Sequence, residues 1–184
     1  MREGRVRTGK IAYIAMGTAF TVVCSWLYIP LPVPITLQTF ALCLLSALLG
    51  TGCGLWIVLC YIALGAAGLP VFSGFMGGVG ALMGATGGYI TGFLFIPLCV
   101  GLGRGRFGNG KLPLALSMGA GILCCYIFGT VWYSHVYSGG SGFLAAAAVC
   151  VLPYVIPDGL KVALAVYLSG RLRQHVNPDR PRHY

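Results

Sequence analysis

Acidic side chains are nearly absent from this chain, which has three among its 184 residues. Between Lys10 and Arg104 there is no charged residue of either sign. Between Lys111 and Arg171 there are two, Asp158 and Lys161, set in an otherwise apolar run. Charged residues make up 8% of the chain, against about 25% in an ordinary soluble domain. With 58% hydrophobic residues, the composition predicts a single integral membrane domain over residues 1–184 and leaves no room for a soluble one.

Other absences narrow the function. The eight cysteines (Cys24, Cys43, Cys53, Cys60, Cys99, Cys124, Cys125, Cys150) form no C-x-x-C and lie mostly inside apolar runs, so neither a metal nor a disulfide is assigned to them. Gly105 to Lys111 resembles a phosphate-binding loop, but Leu112 stands where Ser or Thr must hold Mg²⁺, so nucleotide binding is not expected and any ATPase must be another chain. His135, with Ser134, Ser138 and Ser141 nearby, has only Asp158 available as an orienting acid. It reads as an interfacial histidine; no catalytic residue and no cofactor are assigned, and the chain is not expected to be an enzyme. The net charge of +9 is split into separate clusters, with no single basic face for nucleic acid. The run from Ile11 to Ile29 is longer than a signal-peptide core and no A-x-A site follows, so it reads as a retained first span.

Glycine, proline and cation clusters cut the chain into six apolar segments, approximately 10–29, 37–50, 54–69, 81–103, 112–137 and 143–171. The fold class expected is an all-α membrane protein of six transmembrane helices. The second and third are shorter than the ~20 residues of a straight span and must be short or tilted. Six spans put Arg2, Arg5, Arg7 and Lys10, then Arg104, Arg106 and Lys111, then Arg171, Arg173, Arg180 and Arg182 on one side. The positive-inside rule makes that side cytoplasmic, with both termini there. The outer loops, 30–36, 69–80 and 138–142, carry no charge. The first is rich in proline and the second in glycine; both read either as lids over an outward-opening pocket or as tight interfacial turns.

The last segment is broken by Pro153 and Pro157, and the sequence predicts that Pro157 opens a new helix with Asp158 in its first turn. Lys161 follows three residues later, on the same face. A charge at membrane depth costs roughly 2.5–3.5 kcal/mol and usually marks a substrate path, particularly beside a discontinuous helix. The alternative for the pair is a structural salt bridge. Ala12, Ala15 and Ala19 form a small-residue stripe on the first helix, suited to close packing inside the chain or to docking a partner protein.

Four segments together resemble the BioY family, the biotin-binding S components of energy-coupling-factor (ECF) vitamin transporters. They are Pro32-Val-Pro-Ile-Thr-Leu-Gln-Thr39, Gly65-Ala-Ala-Gly-Leu-Pro-Val-Phe-Ser-Gly74, Gly84-Ala-Thr-Gly-Gly-Tyr-Ile-Thr-Gly-Phe93 and Pro157-Asp-Gly-Leu-Lys161. Ala85 departs from the family, which usually has proline there. The resemblance implies a six-helix protein of the bacterial cytoplasmic membrane, surrounded by lipid, that captures biotin outside and delivers it inward. It also implies a transmembrane coupling protein and two ATPase subunits as partners, with Ala12, Ala15 and Ala19 as the docking face. The residues it nominates for biotin are Asp158, Lys161, Tyr89, Gln38, Thr36 and Phe72. Asp158 would accept from the ureido N–H groups; Lys161 would serve either the ureido carbonyl or the valerate carboxylate. The alternatives are an S component for another vitamin and an intramembrane enzyme using Asp158 and His135.

Overall fold

The computed structural model describes residues 2–31, 33–108, 110–137 and 143–173, excepting the side chains of 2–8, 137 and 143–145. The loop 138–142 with Ser138 and Ser141, Pro32, the side chains of Arg2, Arg5 and Arg7, and Arg180 and Arg182 therefore lie outside the described residues. The fold is helical. Helix α1 runs Arg2–Trp26, where the chain leaves the helix to pair two short antiparallel strands, β1 (Tyr28–Ile29) and β2 (Ile35–Thr36). Tyr28 faces Thr36 and Ile29 faces Ile35 across this antiparallel pair.

Helix α2 covers Gln38–Ala66 and takes in most of both short segments expected at 37–50 and 54–69. Gly50, at φ 83 and ψ 171, breaks it into two arms. A straight helix at 1.5 Å per residue would hold Gln38 and Tyr61 roughly 34 Å apart. Their side chains are instead hydrogen-bonded, Gln38 Nε2 donating to the Tyr61 hydroxyl. A Cβ at Gly54 would sit 2.9 Å from Ser46 Oγ and 2.8 Å from Pro97 Cβ. The arms therefore run antiparallel, packed closely because Gly54 has no side chain. This hairpin is the centre of the protein: Leu42, Cys43, Ile57, Val58 and Tyr61 are almost wholly buried.

The rest of the chain wraps around it. Short helices α3 (Val79–Leu82) and α4 (Gly87–Gly92) lead into α5 (Phe95–Phe107). Helix α6 (Lys111–Trp132) ends in a π-helical turn at Tyr133–Tyr137. Glycines let α4 lie against α6: a Cβ at Gly88 would strike Trp132, one at Gly92 would crowd Cys125, and one at Gly129 would enter the Tyr89 ring.

The last segment comprises α7 (Phe143–Cys150) and α8 (Leu152–Leu172). The break lies at Val151 (φ −123, ψ −50), not at Pro157. Pro153 is in the first turn of α8, where its missing N–H costs nothing. Pro157 is inside the helix, so Asp158 belongs to the second turn rather than the first. Tyr154, Asp158, Ala165 and Ser169 form the buried stripe that holds α8 to the bundle through this proline.

Four stretches among the described residues are long and apolar enough to cross a membrane: Gln38–Ala66, Gly87–Phe107, Lys111–Val136 and Ala146–Leu172. The expected six segments map onto these four plus α1, with the first stretch holding two. On α1, Gly17 packs against Ile57, and Thr18, Thr21 and Ser25 are buried. Ala12, Ala15 and Ala19 face outward with Ile11, Met16 and Phe20, so the stripe does not pack within this chain.

Gly50 generates a clear prediction. Its backbone conformation is essentially confined to glycine, and a Cβ would meet nothing within 4 Å. Gly50→Ala should destabilise through backbone strain alone, by about 1–3 kcal/mol. Thermal unfolding in detergent, compared with Gly52→Ala in the same arm as control, checks this.

Candidate functional site

The first residues of α2, the turn before it, α4, α6 and α8 converge on one narrow cavity. Thr36 caps the start of α2 locally: its hydroxyl donates to Gln38 Oε1 at 2.7 Å and accepts from the Gln38 backbone N–H at 3.3 Å. This fixes the Gln38 amide so that its nitrogen reaches Tyr61 in the other arm. Tyr89 projects from α4 and its hydroxyl pairs with Thr130 Oγ1 at 3.1 Å. Cys125 of α6 donates its S–H to the Tyr89 carbonyl at 3.4 Å.

Asp158 is the centre of the polar set and is 5% exposed. Lys161 Nζ lies 2.6 Å from its Oδ1. The Thr39 hydroxyl donates to the same oxygen at 3.0 Å, and Lys161 also donates to Thr39 Oγ1 at 3.3 Å. Tyr126 of α6 donates to Oδ2 at 2.5 Å. Three helices thus supply one donor each to a single carboxylate. Burying that carboxylate unpaired would be prohibitive; the ammonium and two hydroxyls compensate it.

Five of the six nominated residues, Asp158, Lys161, Tyr89, Gln38 and Thr36, line this cavity. Phe72 does not. It is 1% exposed, its ring set edge-on to Tyr61 at 5.4 Å and filling the space over Gly65, where a Cβ would fall 2.0 Å from the ring. The loop presents its next residue, Ser73, to the cavity instead. Sequence reasoning missed Thr39, Tyr126 and Tyr154. Tyr154 donates to the carbonyl of Val33, tying α8 to the proline-rich turn.

The cavity has a free volume of about 50 Å³, below the about 300 Å³ of typical small-molecule sites, so a ligand of that class must part its walls. An outer cleft of about 690 Å³ adjoins it, and Pro34, Ser73 and Thr86 line both. The two loops flanking the cleft are anchored on the last turn of α1. Trp26 Nε1 donates to Pro70 O at 2.9 Å, Ser25 Oγ lies 2.5 Å from Val71 O, and Leu37 N–H donates to Cys24 O at 3.2 Å. The cations of α5 and α8, Arg104 and Arg171, are at the far ends of helices that begin beside the cavity.

The paired charges predict non-additive stability. Asp158→Leu alone strands a buried ammonium and should cost about 3–5 kcal/mol. Asp158→Leu combined with Lys161→Met should recover most of that loss. A double-mutant cycle of thermal unfolding in detergent measures it, and an additive result would mean that the two charges are solvated independently.

Comparison with known proteins gives this geometry a family. The model of the BioY family matches residues 1–178. A protein of Pyrococcus horikoshii named "Probable biotin transporter BioY" is 36% identical over 169 residues, covering 91% of this chain and 98% of the relative. The "Biotin transporter BioY" of Thermotoga maritima is 37% identical over 161 residues, covering 85% and 91%. A crystal structure of the S-component for biotin from an ECF-type ABC transporter superposes with a TM-score of 0.84 at 28% identity, covering 95% of this chain and 94% of that one. On the match along nearly its whole length, the chain belongs to the BioY family.

Proposed function

We propose that this chain is the membrane component that captures biotin outside the cell and delivers it to the cytoplasm, energised by partner subunits. The observation that carries the reading is the Asp158–Lys161 pair, held 2.6 Å apart on the wall of a cavity in a BioY-family fold. Biotin's ureido ring presents an N–H donor and a carbonyl acceptor on adjacent atoms. An acceptor and a donor side by side on α8 complement that edge. Lys161 has three N–H donors, two of them directed at Asp158 and Thr39, which leaves one for the ureido carbonyl. The valerate chain would then extend toward the outer cleft, past Thr36, Gln38 and Tyr89. Access requires the proline-rich and glycine-rich loops to separate.

The topology we propose has six crossings: α1, the two arms of α2, the α4–α5 stretch, α6, and α7–α8. Both termini and the basic helix ends are cytoplasmic, and the cleft opens outward. Ala12, Ala15 and Ala19, exposed on α1, offer a surface of small side chains on which a helix of a coupling protein can approach closely. That partner, with two ATPase subunits, supplies the energy, in keeping with Leu112 in place of the Mg²⁺-binding hydroxyl.

Uptake of labelled biotin by cells that depend on this chain tests the function. Asp158→Asn presents an N–H donor where an acceptor is needed, and its uptake at limiting biotin should fall about 5- to 150-fold, the equivalent of 1–3 kcal/mol for an unpaired buried group. Undiminished uptake with a normal amount of protein in the membrane would reduce the pair to a structural salt bridge.

The docking face gives a separable prediction. Ala15→Trp should leave biotin binding by the isolated chain intact while abolishing energised uptake and co-purification with a coupling protein. Loss of binding in the isolated chain would contradict the assignment.

A further inference from the structure

We infer that Tyr126 and Thr39 ration the acceptor sites of Asp158, so that the cavity selects a neutral ligand donating one N–H over a cationic ligand donating several. This rests on the biotin reading above and specifies how its site discriminates. An ionised carboxylate offers about four acceptor positions. On Oδ1, Lys161 at 2.6 Å and Thr39 at 3.0 Å fill both. On Oδ2, Tyr126 at 2.5 Å fills one. Among the described residues no further donor reaches the carboxylate, so one position remains, on Oδ2. All four residues line the cavity, so the open position is available to a ligand there.

The donors come from different elements: Thr39 from α2, Tyr126 from α6 and Lys161 from α8. None is free to turn away without abandoning the buried carboxylate. The ammonium cancels the carboxylate's charge, and the two hydroxyls spread what negative potential remains. A urea N–H needs no more than the single open position. A guanidinium in the same place would bring a positive charge against Lys161 and more N–H groups than Asp158 has positions. Tyr126 and Thr39 are positioning residues in this account: they act through Asp158, and their effect is on which ligand it accepts.

The probes are biotin and its 2-imino analogue, in which a protonated cyclic guanidine replaces the urea. Binding of each to the purified full chain is measured for the native protein, Tyr126→Phe and Thr39→Val. Both variants keep the side-chain shape and remove one hydroxyl donor. The native chain should prefer biotin. In each variant the preference should narrow by about fivefold or more, the worth of one hydrogen bond released on the carboxylate. A purely structural role would weaken both ligands by the same factor, and an equal loss in a folded variant overturns the inference. An unchanged preference with unchanged affinities overturns it too. Should Tyr126→Phe fail to fold, Thr39→Val decides the question. A folded native chain that binds neither probe would refute the biotin reading itself, and this inference with it; native binding with an unmoved preference refutes only the inference.

Discussion

The structure depends on one buried carboxylate. Asp158 sits in an apolar bundle where an uncompensated charge would be forbidden, and its neighbours are arranged to answer it. Lys161 is one turn away on the same helix, Thr39 is in the first turn of α2, and Tyr126 is on α6. Those three contacts also join α2, α6 and α8. The site and the junction of the bundle are therefore the same set of atoms. A ligand that engages Asp158 acts on the packing of three helices at once, which is a physical route from occupancy to shape.

The hairpin at Gly50 makes that junction possible. By folding α2 back on itself it brings Gln38 to Tyr61 and leaves the first turn of the helix pointing at α8. Glycines at the crossings do similar work elsewhere, Gly129 by admitting the Tyr89 ring and Gly65 by admitting Phe72. The two loops flanking the cleft are less self-sufficient. They hang on the last turn of α1 through Cys24, Ser25 and Trp26, so the helix with the exposed alanine stripe also holds the cleft. The exposed stripe and the anchor points of the two loops thus share one continuous helix.

Much of this was legible in the sequence because charge is so scarce. Two charged residues three apart in an apolar run had to be compensated, and the structure pairs them. Gln38, Thr36 and Tyr89 were nominated through the family resemblance, and they line the cavity. Tyr126 was not, because a tyrosine within an apolar helix gives no sign of whether its hydroxyl meets a partner or lipid. Phe72 packs behind the wall while Ser73 lines the cavity, since in irregular backbone nothing in the sequence fixes which neighbour faces inward. Pro157 misled for a related reason. Proline usually marks a helix start or a break, but the buried stripe of α8 carries the helix through it, and the break falls at Val151. That the two short segments form one hairpin depends on contacts between Ser46 and Gly54, which no local signal announces.

The central claim is that the Asp158 network is where the ligand is held. A structure of this chain determined with biotin bound tests it most directly. The account predicts the bicycle between α2, α4, α6 and α8, with a ureido N–H donating to Asp158 Oδ2 and the carbonyl accepting from Lys161. Biotin found in the outer cleft alone, with the bonds of Asp158 to Lys161, Thr39 and Tyr126 unaltered and no contact to the carboxylate, would contradict it.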